Sequence, residues 1–313
     1  MLILSKDDIL SCLTPIEIIE VLRQCFLDLG NGLYDVPKRI HLDQNGVTHL
    51  VMPALNQVYF CTKIVSVNPE NVNLGLPLIH GTISLNSHKT GQTQAILDAS
   101  SITALRTAAV GALGLELLSD TSLNHVGIIG LGVQGIWQTI FAHNIRRIKR
   151  VYIYARSKGS ISNYQTIINQ RIPDLDLVVC SNADEVVRQS EVIYTCTNST
   201  SPVISNDPEL VRSKSFISIG SYRKDMQELP AAVYKQSRQI FLDTVHAKTE
   251  VGDIINAIKN SWVLKKSIIS LDQLYLKEEN DVRPTDQCVF KSVGMAAFDL
   301  ALSAAVYENV RNR

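Results

Sequence analysis

The sequence predicts an α/β fold in two domains, and three observations carry that prediction. Its 313 residues are about twice the length of a typical domain of ~150 residues. A glycine-rich turn beginning at Gly130 closes an apolar strand and opens a helix. From Val126 onward, six short apolar runs follow one another, most of them separated by helical patterns. Such alternation is typical of a Rossmann-type, doubly wound parallel sheet.

The elements can be placed in order along the chain. Residues 14–17 form a capping box that begins a helix, and residues 37–98 form a meander of strands with a hairpin over 83–97. A long helix follows over 101–118. The six strands of the parallel sheet are placed at residues 126–129, 151–154, 177–180, 192–195, 216–219 and 240–243. After a loose connection at 281–286, residues 289–310 are mostly one helix.

These elements predict a discontinuous first domain. The C-terminal helix returns to pack on the N-terminal α/β domain, so residues 1–118 and 288–313 form one domain. Residues 119–287 form the Rossmann domain.

Composition excludes several classes of function. Thirty Lys and Arg balance thirty Asp and Glu, so the formal net charge is zero and binding to nucleic acid or to an anionic membrane surface is not expected. No apolar run approaches the ~18 residues of a membrane-spanning helix. Lys6, Asp7 and Asp8 interrupt the region where a signal peptide would be apolar. We therefore expect a soluble, cytoplasmic protein.

The six cysteines predict neither a disulfide framework nor a metal site. They lie far apart, with no C-x-x-C pair and no neighbouring His at metal-ligand spacing. We interpret them as reduced thiols.

The strongest motif is the glycine-rich loop, which has the form G-x-G-x-x-G. Gly130 permits the tight turn, Gly132 lets backbone N–H groups approach a pyrophosphate, and Gly135 lets the helix pack closely on the strand. Val133 and Gln134 belong to the helix N-terminus, which carries partial positive charge. We predict that these residues bind a dinucleotide. The alternative interpretation is a glycine-rich α/β turn that binds no nucleotide.

The tip of the second strand of this domain indicates which dinucleotide is preferred. NAD sites usually have an Asp or Glu about 20 residues beyond the loop. Arg156, Ser157 and Lys158 stand here instead, and a guanidinium pairs well with a 2′-phosphate. NADP(H) is therefore favoured, with NAD(H) possible. The alternative is that Arg156 and Lys158 are ordinary solvated loop charges.

The chain resembles the ornithine cyclodeaminase and mu-crystallin family from about residue 30 to the C-terminus. The resemblance rests on five segments in matching order and spacing: Pro37-Lys38-Arg39, Thr62-Lys63-Ile64-Val65, Ala104-Leu105-Arg106-Thr107-Ala108-Ala109, the Gly130 loop, and Val289-Phe290-Lys291-Ser292-Val293-Gly294-Met295-Ala296. It implies that residues 1–118 and 288–313 form a substrate-binding and dimerisation domain and that residues 119–287 form an NAD(P)-binding domain. It also implies an active site in the cleft between the two domains. Because the family includes cyclodeaminases, imine reductases, an alanine dehydrogenase and a non-catalytic crystallin, individual residues must decide the function.

Arg39 and Arg106 match the positions where the family holds the substrate carboxylate. A guanidinium presents a planar fork that pairs with both oxygens of a carboxylate. Arg106 lies in an apolar helix, where an unpaired charge is costly. The alternatives are a structural ion pair for Arg106 and a solvated surface charge for Arg39.

Lys63 matches the family's active-site lysine, which contacts substrate and takes part in catalysis. Strand alternation places it on one face with Cys61, Val65 and Val67, an unusual place for a cation without a partner. Close to the two arginines its pKa should fall, which suits proton transfer near neutral pH. The alternative is a strand-edge lysine whose charged end reaches water.

Two departures from the family pattern weigh against a cyclodeaminase. Tyr222 occupies the place of that enzyme's catalytic Asp, and Leu50 and Val51 stand where a second carboxylate is expected. Ornithine cyclisation needs a base and an acid to move protons between two amines. Asp225 could supply the base only if the loop aligned differently.

We interpret His41, His49 and His80 as structural. For Asp299, a family Asp near the cleft and a helix-surface ion pair are equally open.

The sequence therefore predicts an NADPH-preferring reductase of small cyclic imino acids. Its substrate would be Δ1-pyrroline-2-carboxylate or Δ1-piperideine-2-carboxylate, and its product L-proline or L-pipecolate. The alternatives are an NAD-dependent, ammonia-eliminating ornithine cyclodeaminase and a non-catalytic, NADPH-dependent binder of small ligands like the crystallin. We expect a homodimer with a small imino-acid or amino-acid ligand and no metal.

Overall fold

The structure is a computed structural model that describes residues 1–276 and 287–312. The predicted loose connection at 281–286 lies outside these residues. The strands are β1 (Leu2–Leu4), β2 (Ile40–Gln44), β3 (Val47–Leu55), β4 (Tyr59–Val67), β5 (Ile79–Ser87), β6 (Thr93–Asp98), β7 (His125–Ile129), β8 (Arg150–Tyr154), β9 (Asp176–Val179), β10 (Val192–Thr195), β11 (Ser215–Ser218), β12 (Gln239–Leu242), β13 (Ile268–Ser270) and β14 (Cys288–Lys291).

The α-helices are α1 (Lys6–Leu10), α2 (Pro15–Gly30), α3 (Ala99–Leu118), α4 (Val133–Arg146), α5 (Lys158–Arg171), α6 (Ala183–Gln189), α7 (Pro208–Val211), α8 (Ala231–Gln236), α9 (Ala247–Glu250), α10 (Gly252–Lys259), α11 (Leu271–Tyr275) and α12 (Ala296–Arg311). Short 3₁₀ helices lie at Pro69–Leu74 and Lys265–Ser267.

The chain divides into two compact units. The first comprises Met1–Arg106 with Gly294–Arg313, and the second comprises Thr107–Val293. The predicted boundaries at 118/119 and 287/288 differ from these for two physical reasons. The later part of α3 carries glycines that let Gln138 and Phe290 of the second unit lie directly against the helix. In addition, β14 pairs with β11 and β12 in the parallel sheet.

The first unit is built on a six-stranded sheet in the order β1-β6-β5-β4-β3-β2. Its neighbouring strands are antiparallel except β1 and β6, which are parallel. The predicted hairpin is confirmed, because β5 pairs with β6 across a turn that contains Gly91. The predicted capping box is also confirmed: the Thr14 side chain accepts from Glu17 N at the start of α2. Helix α12 packs against α2 and against β3, β4 and β5.

The second unit is built on an eight-stranded sheet in the order β13-β12-β14-β11-β10-β7-β8-β9, and every pairing in it is parallel. All six predicted strands occur within one residue of their expected bounds, so the predicted α/β class is confirmed. The order turns at β7, which has β8 on one side and β10 on the other. Ligands of such sheets bind at the carboxyl ends of the strands beside this switch point.

The prediction of one helix over 289–310 is wrong at its beginning. Residues 288–291 form β14, and the helix begins only at Ala296. Cys288, Val289 and Phe290 are fully buried between two parallel strands. A β-branched and aromatic run with both faces buried favours a strand over a helix.

Helix α3 also corrects the expectation that no segment is apolar enough to span a membrane. By length and composition alone it could cross a bilayer, but 83% of its most apolar window is buried inside the protein. The core helix of a folded protein satisfies the same criteria, and α3 is packed as one.

All six cysteines are free thiols. Within the described ranges, no group of three or more His, Cys, Asp or Glu side chains is placed to hold a metal ion.

Candidate active site

Lys63 lies in the middle of the first unit's sheet. It belongs to β4, an interior strand, and its cross-strand neighbours are Met52 and Ile83. The residue is only 2% exposed and shares its buried face with Cys61 and Val65, as strand alternation predicts. The alternative of a strand-edge lysine that reaches water is therefore wrong. A buried lysine among apolar side chains requires an anionic partner.

That partner is Asp299, in the first turn of α12. Its Oδ1 accepts a hydrogen bond from Lys63 Nζ at 2.9 Å and another from Arg106 Nε at 3.3 Å. Asp299 is 0% exposed, so it forms no helix-surface ion pair. The available signal was its position between Phe298 and Leu300 in an apolar helix, where a carboxylate needs a partner. Asp299, whose role the sequence analysis left undecided, thus links Lys63 and Arg106, two of the predicted site residues.

Gly294 brings both predicted arginines to one backbone position. Its carbonyl oxygen accepts a hydrogen bond from Arg39 Nη2 at 2.5 Å. Its φ of +77° suits glycine, and a Cβ there would lie 2.4 Å from Arg106 Nη1. Arg39 is half-buried, so the alternative of a solvated surface charge does not describe it.

We call Arg39, Lys63, Arg106 and Asp299 the cation cluster. Two of the three cationic side chains, Lys63 and Arg106, share the single carboxylate of Asp299, so the cluster has excess positive charge and suits an anionic ligand. The pKa of Lys63 falls to about 8, chiefly because burial penalises the charged amine. Asp299 opposes that fall, whereas Arg106 and Arg39 add to it. The sequence predicted the direction of the shift but not its main cause.

The loop after β11 does not restore the missing carboxylate. Tyr222 is half-buried, and the Arg223 guanidinium lies 5.8 Å from the centre of its ring. Asp225 is exposed and accepts from Arg223 Nε and Nη2, both at 3.1 Å. It is therefore part of a surface ion pair rather than a buried base.

The three predicted structural histidines lie on exposed positions of the first unit. His49 Nδ1 is 2.7 Å from Ser66 Oγ, across the sheet from β3 to β4. His41 and His80 are also exposed. His49 and His80 lie on the face opposite to Lys63. His41 pairs with Leu50 and therefore lies on the same face as Lys63, but on the exposed edge strand β2.

The glycine-rich loop of the second unit has the geometry a dinucleotide requires. Gly130 follows β7 with a φ of +96°, and a Cβ on it would lie 2.6 Å from Cys196 O. Gly132 is the N-cap of α4, has open space where a Cβ would be and receives no side-chain cap. A Cβ on Gly135 would lie 2.2 Å from Gly130 O. Only glycine fits the first and third positions, and no side chain caps the N-terminus of α4.

Val133 and Gln134, the other predicted residues of this loop, form the first turn of α4. The Val133 side chain is exposed, whereas Gln134 Oε1 is buried without a hydrogen-bond partner among the described residues. Arg156, Ser157 and Lys158 are all exposed directly after β8. Ser157 is the N-cap of α5, and its Oγ accepts from Ser160 N. Their predicted contact with a 2′-phosphate stays a prediction.

A second buried polar cluster was missed by sequence reasoning. Glu228 is 0% exposed and accepts from the backbone N–H groups of Thr197, Gly220 and Ser221 at 2.6, 2.8 and 3.1 Å. Lys291 Nζ lies 3.9 Å from it. Thr197 follows β10, Gly220 and Ser221 follow β11, and Lys291 is the last residue of β14, so all lie at the carboxyl edge of the parallel sheet. Glu228 therefore fixes the two chain segments that leave β10 and β11.

Asp253 completes this loop-anchoring cluster, which we define as Glu228, Asp253 and Lys291. Asp253 accepts from the backbone N–H groups of Glu228 and Leu229 and from Tyr234 OH. Lys291 Nζ donates to two serine hydroxyls at 2.7 and 3.0 Å. The only advance signal was a Glu directly before Leu229 and Pro230, and spacing alone could not assign it a partner.

Comparison with known proteins agrees with this geometry. A sequence profile of the ornithine cyclodeaminase/mu-crystallin family matches residues 2–313. The chain belongs to this family. The resemblance seen in the sequence is thereby confirmed.

Two curated relatives and one solved structure are similar to this chain over most of its length. A Δ(1)-pyrroline-2-carboxylate reductase of Bacillus cereus is 28% identical over 324 residues, which cover 100% of this chain and 98% of that protein. A Δ(1)-pyrroline-2-carboxylate/Δ(1)-piperideine-2-carboxylate reductase of Azospirillum brasilense is 28% identical, covering 91% and 88%. The structure of Thermococcus litoralis Δ(1)-pyrroline-2-carboxylate reductase, in complex with NADH and L-proline, superposes with a TM-score of 0.94 at 26% identity. It covers 100% of this chain and 98% of that one.

Proposed function

We propose that this chain reduces Δ1-pyrroline-2-carboxylate or Δ1-piperideine-2-carboxylate to L-proline or L-pipecolate, with NADPH preferred over NADH. The cation cluster carries the proposal, because its excess positive charge suits a small carboxylate and its lysine can donate a proton. The named activities of the Bacillus, Azospirillum and Thermococcus relatives support it. At the coarser level, the chain is an NAD(P)H-dependent oxidoreductase acting on carbon–nitrogen bonds.

The cation cluster divides the work of binding and proton transfer. Arg39 and Arg106 pair with the substrate carboxylate and fix the orientation of the ring. Lys63, as an ammonium, donates a hydrogen bond or a proton to the imine nitrogen and raises the electrophilicity of the adjacent carbon. In this scheme the substrate supplies its own carboxylate, so a second acidic side chain is not needed. The absence of the cyclodeaminase Asp at Tyr222 is consistent with a reductase.

The glycine-rich loop would hold the cofactor through Gly130, Gly132 and the first turn of α4. A nicotinamide dinucleotide bound there would supply the hydride for reduction of the C=N bond. Arg156, Ser157 and Lys158 would contact the ribose 2′-phosphate that distinguishes NADPH from NADH.

The first experiment measures initial rates of NADPH and NADH oxidation with the five- and six-membered cyclic imino acids. Ammonia release from L-ornithine with NAD⁺ is measured in parallel. Imine-dependent oxidation at nanomolar enzyme supports the reductase and excludes a binder without turnover. Ammonia release without imine reduction would instead identify a cyclodeaminase, and inactivity in both assays would contradict the proposed substrates.

The cofactor preference is tested separately with Arg156→Ala. We expect the NADPH-to-NADH ratio of kcat/KM to fall about tenfold or more, since a charge-assisted contact to phosphate contributes about 1.5–3 kcal/mol. Arg188→Ala removes another exposed arginine of the second unit and should leave the ratio unchanged. An unchanged ratio in Arg156→Ala would mean that this arginine does not select the cofactor.

We also propose a homodimer formed through the outer face of the first unit's sheet. Ile40, Val51 and Ile64 lie side by side on that face, and both Ile40 and Ile64 are more than half exposed. Leu42 extends this apolar surface along β2. Sedimentation velocity should show a dimer that Leu42→Lys weakens. The exposed Val179 in the second unit provides the control substitution, Val179→Lys. A monomeric wild-type protein would overturn this proposal.

A further inference from the structure

Asp299 does more than neutralise a buried lysine. Its Oδ1 accepts from both Lys63 and Arg106, while its Oδ2 is buried without a hydrogen-bond partner in residues 1–276 and 287–312. No backbone N–H donates to this carboxylate in those residues. A carboxylate that anchors the fold accepts from the backbone, as Glu228 does three times. All the hydrogen bonding of Asp299 is directed to two side chains that we assign to the reaction.

The groups around Lys63 show why this carboxylate matters. Arg106 on α3 and Arg39 before β2 are cations that disfavour a third positive charge. Cys61, on the same strand, has its thiol pKa raised to about 12 by burial and therefore stays neutral at working pH. The cross-strand neighbours, Met52 and Ile83, do not titrate. Within the described chain, Asp299 is the one anion that contacts Lys63.

Burial and two neighbouring cations both favour the neutral amine. Without a close anion, Lys63 would be a neutral amine when substrate binds. A neutral amine cannot protonate an imine. We propose that Asp299 is a positioning residue of the reduction: it fixes Lys63 Nζ beside Arg106 and keeps the amine charged, so that Lys63 serves as the proton donor. This inference rests on the proposed function.

The reduction adds one proton and one hydride to the C=N bond. The imine nitrogen takes a proton from Lys63 Nζ, and the imine carbon takes the hydride that reduced nicotinamide supplies. The C=N π bond is replaced by one N–H and one C–H bond, giving the secondary amine, while the nicotinamide is oxidised. Lys63 is left neutral and regains its proton from water. Asp299 keeps its charge throughout, as expected of a residue that positions a donor without exchanging protons itself.

The test compares kcat/KM against pH for the wild type and Asp299→Asn. Because the protonated lysine is the active form, wild-type kcat/KM should fall as pH rises through about 8. In Asp299→Asn the carboxylate no longer stabilises the ammonium, so this fall should move to lower pH by about one unit or more. Substrate and cofactor titrations are common to both proteins and cancel in the comparison.

Glu308→Gln is the matched control. Glu308 lies on the same helix and accepts from Tyr59 on the same strand, but it is a partly exposed residue away from Lys63. Its removal should leave the pH of the fall unchanged. If the role of Asp299 were purely structural, Asp299→Asn would lower kcat/KM by the same factor at every pH and would leave the pH at which kcat/KM falls unchanged. That result would overturn the inference. Asp299→Glu, which retains the charge, should keep the wild-type position of the fall even if its rate is lower.

A second measurement separates this inference from the proposed function. In protein labelled with ¹³C at the lysine ε-carbons, the Lys63 signal is identified by its loss in Lys63→Met. Its titration midpoint should be lower in Asp299→Asn than in wild type, whether or not the imine is reduced. Equal midpoints would overturn the inference. A shifted midpoint in a protein inactive on imines would reject the proposed substrates but keep the role of Asp299 toward Lys63.

Discussion

The two polar clusters are similarly buried, but one has more cationic side chains than carboxylates and the other has more carboxylates than cationic side chains. In the cation cluster of the first unit, Lys63 and Arg106 donate to one carboxylate, which within the described residues accepts only from side chains. In the loop-anchoring cluster of the second unit, two carboxylates meet one lysine and accept from backbone N–H groups, hydroxyls and a tyrosine. Every charged group of the second cluster finds its partners inside the protein.

This difference separates binding from support. A fully satisfied network stabilises a unique arrangement of the loops it touches. A cluster with excess charge of one sign is costly to bury, and its cost is offset when a ligand of opposite sign binds. Burial alone therefore does not mark a functional site. The balance of cationic side chains against carboxylates is the better guide. It favours the first unit as the place where substrate binds, and it indicates that Glu228 and its partners support the fold.

The largest expected effect is the loss of stability in Glu228→Ala. Lys291 would keep only its serine partners, and three backbone N–H groups would lose their acceptor. Removing one partner of a buried pair costs about 3–5 kcal/mol, so the unfolding midpoint in urea should fall sharply. The control is Asp176→Ala, which breaks the exposed Arg150 pair and should cost less than about 1 kcal/mol. Equal losses in the two variants would contradict the assignment of Glu228 as an anchor.

A smaller effect, seen in activity more than in stability, is expected for Lys63→Met. Loss of the proposed proton donor should lower kcat/KM for imine reduction about 100-fold or more. The matched change in the other cluster is Lys291→Met, which should lower the free energy of unfolding more than Lys63→Met does. If the two lysine variants lost activity and stability in the same proportion, the distinction between the clusters would fail. Rates and urea midpoints on the same preparations decide the matter.

Much of the fold could be predicted because it depends on local patterns. The six strands beginning at 126–129, the capping box at Thr14 and the hairpin around Gly91 all follow from periodicity and turn residues close in sequence. The strand at 288–291 was missed, because it inserts between β11 and β12, which precede it by some 50 to 70 residues. A run that pairs only with distant strands has no local partner from which it can be recognised.

The residues of the candidate site also differ in whether they could be predicted from local sequence. Arg39, Lys63 and Arg106 were found because each lies in a short motif, and Lys63 because strand alternation exposed a misplaced cation. Asp299 could not be assigned, since its partner Lys63 is 236 residues away in the chain. Its ion pair depends on how α12 packs on β4, which no spacing in the sequence specifies.

The smallest expected effect comes from Gly294→Ala, which tests how closely the backbone must approach Arg106. The substitution has two costs. The left-handed φ of +77° costs a non-glycine residue about 1–2 kcal/mol, and the new methyl group would displace the Arg106 guanidinium. Gly91→Ala provides a matched control, because Gly91 has a φ of +71° and open space around its Cβ position. Both variants should lose stability through the left-handed backbone, and Gly294→Ala should lose more. Only Gly294→Ala should raise KM for the imino acid, since only there does the arginine that we propose for carboxylate binding move. A rise in KM in both, or in neither, would mean that Arg106 does not depend on the absence of a side chain at Gly294.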